Sequence, residues 1–294
     1  MKKIAQLAWA GLFLLLGFNT ASAQEYGMEF ADGGYNPNSL RPIHESDIMF
    51  RKRLTYRMDL RQKQNKPFFA KDLEITKLII EAAKVGIIRP YQNDSLTTRM
   101  SQEEFLENLQ MEDASGGLSE EELALGFGED DLGGGWGDDG GDWGGGGGDD
   151  AVEESSNEYF PNQLYFLQFT EDLIFDRKRS KMYHDIQSIT LFIPAAYNPA
   201  GFEKPLATFS YKELVQNLFQ DNPDAVWYNA NNNRGHLNLE YAFDLRLFAA
   251  RITKFDNPND NYIVDIYGME RQGAIAELEY QYKLVEYENN LWEN

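Results

Sequence analysis

Between Ala274 and Trp292 the apolar residues recur in two helical phases. Ile275, Leu278, Tyr282 and Val285, spaced 3, 4, 3, make one stripe, and Tyr280, Leu284, Tyr287 and Leu291, spaced 4, 3, 4, make another. Glu277, Glu279, Glu286 and Glu288 fill the gaps between them. A helix with two apolar stripes must be covered on two sides. A central place in its own fold meets that need and so does a partner subunit, and the pattern by itself leaves both open.

A second two-striped segment is expected as a helix from about Asp47 to Gln64, uninterrupted by Gly or Pro and followed by Pro67. At 100° per residue, Met49, Tyr56 and Leu60 fall on one stripe and Phe50, Leu54 and Met58 on another, with Arg53, Arg57 and Arg61 in a row between them. Either both stripes pack inside the fold with the arginines on its surface, or one stripe and the arginine row face a second chain.

Between these segments the pattern alternates helix and strand. A helix over about Leu73 to Val85 carries Ile75, Leu78, Ile79, Ala82 and Ala83 on one side and charges on the other, with Gly86 placed to end it. Ile87 to Tyr91 reads as extended, helped by the restriction that Pro90 puts on its predecessor. Ser101-Gln102-Glu103-Glu104 opens a short helix containing Phe105, Leu106 and Leu109. Gln163 to Phe169 reads as a strand, continued after a bend by Leu173 to Asp176. Arg177 to Ser180 is a turn and Met182 to Ile193 a second strand. A capping box at Ser210 to Glu213 precedes Leu214, Val215, Leu218 and Phe219. Leu239, Phe243 and Leu247 fit a helix, while Leu237, Leu239, Tyr241 and Phe243 fit a strand equally well. The expected class is α+β: two small helix and strand parts, 41–110 and 159–294, ending in a long helix.

What separates the parts is compositional. The window from Met111 to Glu158 holds 16 of the 48 acidic residues, 15 of the 25 glycines and no basic residue. Such a segment cannot bury enough apolar surface to offset its ordering entropy, so 111–158 is expected to be a disordered insert. The formal net charge of the chain is −21 over 294 residues, and much of it sits in that window. The rest is only mildly acidic, and Arg41 to Lys66 is locally basic with eight Lys or Arg. The overall acidity disfavours nucleic acid as a partner.

At the N-terminus, Met1-Lys2-Lys3, the apolar run Ile4 to Phe18 and Ala21-Ser22-Ala23 make the three-part pattern of a secretory signal over residues 1–23. Residues 24–40 are expected to be a flexible lead. The chain has no cysteine, which excludes disulfides, thiol nucleophiles, Cys-ligated metals and anchoring through a lipidated cysteine.

His44, His184 and His236 stand in no metal-ligand spacing, and no P-loop, dinucleotide fingerprint or G-x-S-x-G motif occurs. No catalytic residue, metal or cofactor is therefore nominated. Two other classes remain as alternatives: a carboxylate-dependent periplasmic hydrolase, and a calcium-responsive module using Asp138 to Asp142 or Asp256 to Asn261, although neither follows the EF-hand order of ligands.

Several stretches carry a resemblance. Arg41-Pro42-Ile43, Asp47 to Arg53, Asp59 to Asn65 before Pro67, Ile79 to Ile88, Phe175 to Ser180 and Tyr287 to Glu293, in that order and spacing, resemble the GldN/PorN family of the Bacteroidetes type IX secretion system. The segment Phe243 to Phe255 matches loosely, and the Gly/Asp/Trp window has no counterpart. The resemblance implies a non-catalytic periplasmic scaffold that assembles with an outer-membrane lipoprotein of the GldK/PorK kind into a ring. It also implies contact with the periplasmic part of a GldM/PorM-like motor protein, in support of protein export and, in some species, gliding. Lacking a lipidated cysteine, the chain would reach the outer membrane through its partner. The residues expected at partner contacts are Arg53, Arg57, Arg61, Tyr280, Leu284, Tyr287 and Leu291.

Overall fold

The computed structural model describes residues 33–111, 158–232, 234–268 and 271–292. The signal pattern of residues 1–23 and residues 112–157 of the acidic window lie outside the described residues.

The segment expected to be the first long helix is instead a strand, β1 (Ile48–Asp59). The spacing of Arg53, Arg57 and Arg61 is even, so it fits a period of two as well as a helical row. Leu54, Tyr56 and Met58 decide the matter. They alternate with Arg53, Thr55 and Arg57, and all three are buried. β1 lies between two neighbours, so its backbone is paired on both sides and the side-chain alternation is satisfied by the sheet. Sheet context overrides the absence of a helix breaker.

The other elements follow the sequence more closely. Helix α1 (Ile75–Val85) buries Ile75, Ile79, Ile80, Ala82 and Ala83 and ends at Gly86, whose φ of 83° is the left-handed conformation expected there. The short strand β2 (Pro90–Tyr91) follows, and then α2 (Gln102–Leu109), where the Ser101 hydroxyl accepts from the Glu104 amide. Past the window, β3 (Phe166–Asp176) runs unbroken through the position where a bend was expected. It pairs with β4 (Lys181–Ile193) in a hairpin. β5 (Lys204–Ser210) leads into α3 (Tyr211–Leu214), which continues as a π turn over Val215–Phe219. Ser210 precedes this helix but is fully buried and makes no side-chain cap, so the expected capping box is not formed.

A two-stranded ribbon, β6 (Val226–Trp227) with β7 (Leu237–Asn238), precedes α4 (Leu239–Asp244), which settles the helix-or-strand ambiguity in favour of helix. Asn238 caps it through a bond from the Glu240 amide. The edge strand β8 (Arg251–Phe255), the short α5 (Ile263–Tyr267) and the long α6 (Arg271–Trp292) complete the chain.

The main sheet has the order β2-β5-β4-β3-β1-β8, and every adjacent pair is antiparallel. Strands from before and after the acidic window therefore interleave in one sheet. Of the stretch read as a flexible lead, residues 33–40 are described, and Asn36 donates from its side chain to Gln187 of β4. One buried cluster gathers apolar residues from β1, α1, α2, β3, β4, β5, α3, α4 and β8. Phe243 lies at an aromatic junction in it, with ring centroids 5.2 Å from Phe68, 5.8 Å from Tyr211 and 5.6 Å from Phe248.

Candidate functional site: a buried charge cluster and a two-faced helix

β3 is buried along most of its length, and in its middle it carries two fully buried carboxylates in succession, Glu171 and Asp172, on opposite faces of the sheet. The β3/β4 register shifts between Thr170 and Glu171, so Gln187 on β4 stands as an extra residue, a bulge. Gln187 accepts from Asn36 (3.0 Å) and donates to the Asp185 carboxylate (2.6 Å).

Glu171 is held from two sides. His184 Nδ1 lies 2.5 Å from one oxygen and Arg246 donates to the other at 2.6 Å. Burial works to raise the Glu171 pKa, yet the His184 bond and the Arg246 charge outweigh it and hold the carboxyl below its usual range. The Arg246 guanidinium also lies over Tyr56 and Phe248, 5.4 and 5.2 Å from the ring centroids. Asp172 receives both arms of Arg53, at 2.8 and 3.0 Å, directly across the β1/β3 ladder.

Asp185 lines a small cavity of about 230 Å³ with Arg41, Tyr211, Asp244 and Arg246. Burial pushes its pKa up to about 6, against opposing bonds from Ser39 and Gln187. A carboxyl whose folded pKa is raised binds its proton more tightly when folded. Its contribution is complete below the unfolded value and is lost as the pH rises through 6. Asp185→Asn should therefore be more stable than the parent at pH 8 by about 1–2 kcal/mol, with the gap closing near pH 4. Denaturant titrations at the two pH values check this, and equal stability at pH 8 would contradict it.

The arginine row expected to face a partner is engaged inside the chain. Arg53 binds Asp172, Arg57 pairs with Glu203, and Arg61 pairs with Asp59 at 3.2 Å while stacking 3.4 Å above the Tyr165 ring. Arg57 and Glu203 line an open cleft of about 410 Å³ together with Arg251 and Glu277. Glu203 accepts from Arg57, whereas Glu277 lies 3.4 Å from Arg251 with its buried Oε2 making no hydrogen bond among the described residues, and burial holds its carboxyl above the usual range against the charges of Arg251 and Arg57.

The three histidines have local roles: His44 caps a turn by accepting from the Ser46 amide, His184 holds Glu171, and His236 accepts from the Asn229 amide while stacking on Tyr228. In the Asp256 to Asn261 loop, the Asn257 side chain bonds Phe255 and Asn261, and Asp260 pairs with Lys254. Among the described residues no group of three or more His, Asp or Glu is placed to hold a metal ion. The Asp138 to Asp142 stretch lies outside the described residues.

The last helix is two-faced in the way the sequence pattern demands. Its inner face meets the β1/β8 edge. Tyr280 stacks on Phe255 (4.6 Å, 10° between planes), Lys52 reaches over both rings, Tyr287 meets Phe50 at 4.8 Å, and Leu284 packs against the core. Burial pushes the Tyr280 hydroxyl up to about 12, and Leu291, on the same face, is half-buried. The opposite face is open. Ile275, Leu278, Tyr282 and Val285 are 44%, 53%, 73% and 52% exposed. At 100° per residue the two faces are nearly opposite. Of the two stripes read from the sequence, the one named for a partner lies on the chain's own sheet, and the other is uncovered.

A six-stranded antiparallel sheet, ion pairs closed across its strands, and a long last helix with an exposed apolar face define an α+β protein. The description "Gliding motility associated protein GldN" matches residues 43–293, most of the chain, and the chain belongs to that family. The family is a component of gliding motility and of the type IX secretion system, associated with the cell envelope. No curated protein matches the chain.

Proposed function

We propose that the chain is a non-catalytic scaffold subunit of the type IX secretion system. It works in the periplasm, is held to the outer membrane through a GldK/PorK-like lipoprotein, and is arranged in copies as a ring that touches the periplasmic part of a GldM/PorM-like motor protein. Family membership and the secretory pattern at Met1 to Ala23 support the reading. The observation that carries it is the outer stripe of α6. Four large apolar residues, aligned over three helical turns and each at least 44% exposed, cost free energy in water unless another surface covers them.

The carboxylate-hydrolase reading finds less support. Glu203 and Glu277 share a cleft, and burial holds the Glu277 carboxyl above its usual range, but Glu203 is bonded by Arg57, so the cleft offers no free second carboxylate to complete an acid and nucleophile pair. Affinity purification of the intact protein from native membranes tests the scaffold reading. A lipoprotein and the periplasmic part of an inner-membrane motor protein should be recovered with it. Recovery of the chain alone, from membranes in which secretion is active, would sink the reading.

A further inference from the structure

A second uncovered surface lies far from α6 in sequence. The turn after β1 and the 3-10 turn Lys66–Phe68 face the β6 ribbon, where the Tyr228 amide donates to Pro67 O at 2.9 Å. Between them is an open groove of about 960 Å³ floored by Phe69, Leu73 and Trp227. Its rim carries Lys63, Lys66 and Lys71, all exposed and none paired with a carboxylate among the described residues. Arg61 stands at the same rim but is already engaged by Asp59.

The outer stripe of α6 has the opposite character. Glu279 and Glu286 border it on one side, both exposed, and neither is in an ion pair among the described residues. Lys283, the sole base from Ile275 to Leu291, projects further round the helix. Pairing stripe with stripe would set glutamates against glutamates, and pairing groove with groove would set lysines against lysines. Each arrangement carries a like-charge penalty. Stripe in groove joins apolar to apolar and acid to base.

We infer that the outer face of α6 in one copy of this chain seats in the Lys63/Lys66/Lys71 groove of a second copy. This rests on the scaffold reading and deepens it by naming the surfaces through which copies meet. Within one copy the stripe faces away from the body, because Tyr280, Leu284 and Tyr287 hold the other side of α6 to the sheet. The pairing therefore joins different molecules. It is also heterologous: each copy offers one helix and one groove, so the contact propagates and ends only where a ring closes. The apolar stripe supplies most of the affinity, and the charges fix which surface meets which.

Charge reversal on the two sides gives a test with a built-in rescue. The variants are Lys63→Glu/Lys66→Glu/Lys71→Glu and Glu279→Lys/Glu286→Lys, in the signal-free full chain, followed by analytical ultracentrifugation up to roughly 100 μM, where a micromolar contact is saturated. The parent should self-associate. Each variant alone should need more than about 100-fold higher concentration to do so. Mixed 1:1, the two should associate again, because the acidic groove of one then meets the basic helix of the other. The variant carrying both sets should also associate, which guards against a variant that merely misfolds. A monomeric parent, undiminished association of either variant alone, or no rescue on mixing would each overturn the inference. If the lipoprotein still co-purifies while self-association is absent, this inference falls and the scaffold reading stands.

Discussion

Glu171→Gln should lower stability by about 3 kcal/mol, because it leaves the Arg246 guanidinium largely buried with no counter-charge. For a folded region of this size that corresponds to a fall in Tm on the order of 10 °C. The parent gains from Glu171 ionisation only above the ordinary carboxylate range, since its folded pKa is depressed, and it loses that gain as the pH falls through the folded value. The gap between parent and variant should therefore narrow in acid, opposite in sign to the Asp185 effect. Adding Arg246→Met should recover part of the loss, as an apolar side chain of similar length needs no partner. Thermal unfolding of the four chains at pH 7 and pH 4 measures this. Additive losses in the double variant would show that the two residues act separately.

Arg53→Glu is the second large effect. Asp172 is fully buried and takes both arms of Arg53, so the substitution removes its counter-charge and sets a second carboxylate across the ladder from it. A loss of about 3–5 kcal/mol is expected, a large share of a domain's total stability. Arg61→Glu, at an exposed pair with Asp59, should change stability by less than about 1 kcal/mol. Chemical denaturation of both variants separates a fold-bearing arginine from a surface one. Equal, small effects would mean that the Arg53–Asp172 pair adds nothing to the fold.

Arg53 also shows where the sequence was legible and where it was not. Elements with one apolar stripe and a local stop signal, such as α1 ending at Gly86, are written within a single turn of chain and came through intact. β1 did not, because the apolar and arginine spacings there satisfy both periods, and only the neighbours β3 and β8 choose between them. The Glu171, His184 and Arg246 cluster joins residues up to 75 positions apart, and no spacing rule connects them. Its single trace was a pair of acids between two apolar runs, where a bend was expected. The groove beside Trp227 was hidden for the same reason, since its walls come from either side of the acidic window. The two stripes of α6 were visible from the start. Which one turned inward was not, because that depends on Phe50, Lys52 and Phe255 in strands that the pattern did not place.

The central claim is that the two faces of α6 do different work, the inner one holding the fold and the outer one holding the assembly. The most direct test is affinity purification of the envelope complex with Leu278→Asp/Tyr282→Asp beside Tyr280→Ala/Leu284→Ala. The outer-face variant should keep the parent's Tm within about 2 °C, since both residues are more than half exposed, and should lose its co-purifying subunits. The inner-face variant should instead unfold at a markedly lower temperature. An outer-face variant that retains its full set of subunits and supports secretion would contradict the account.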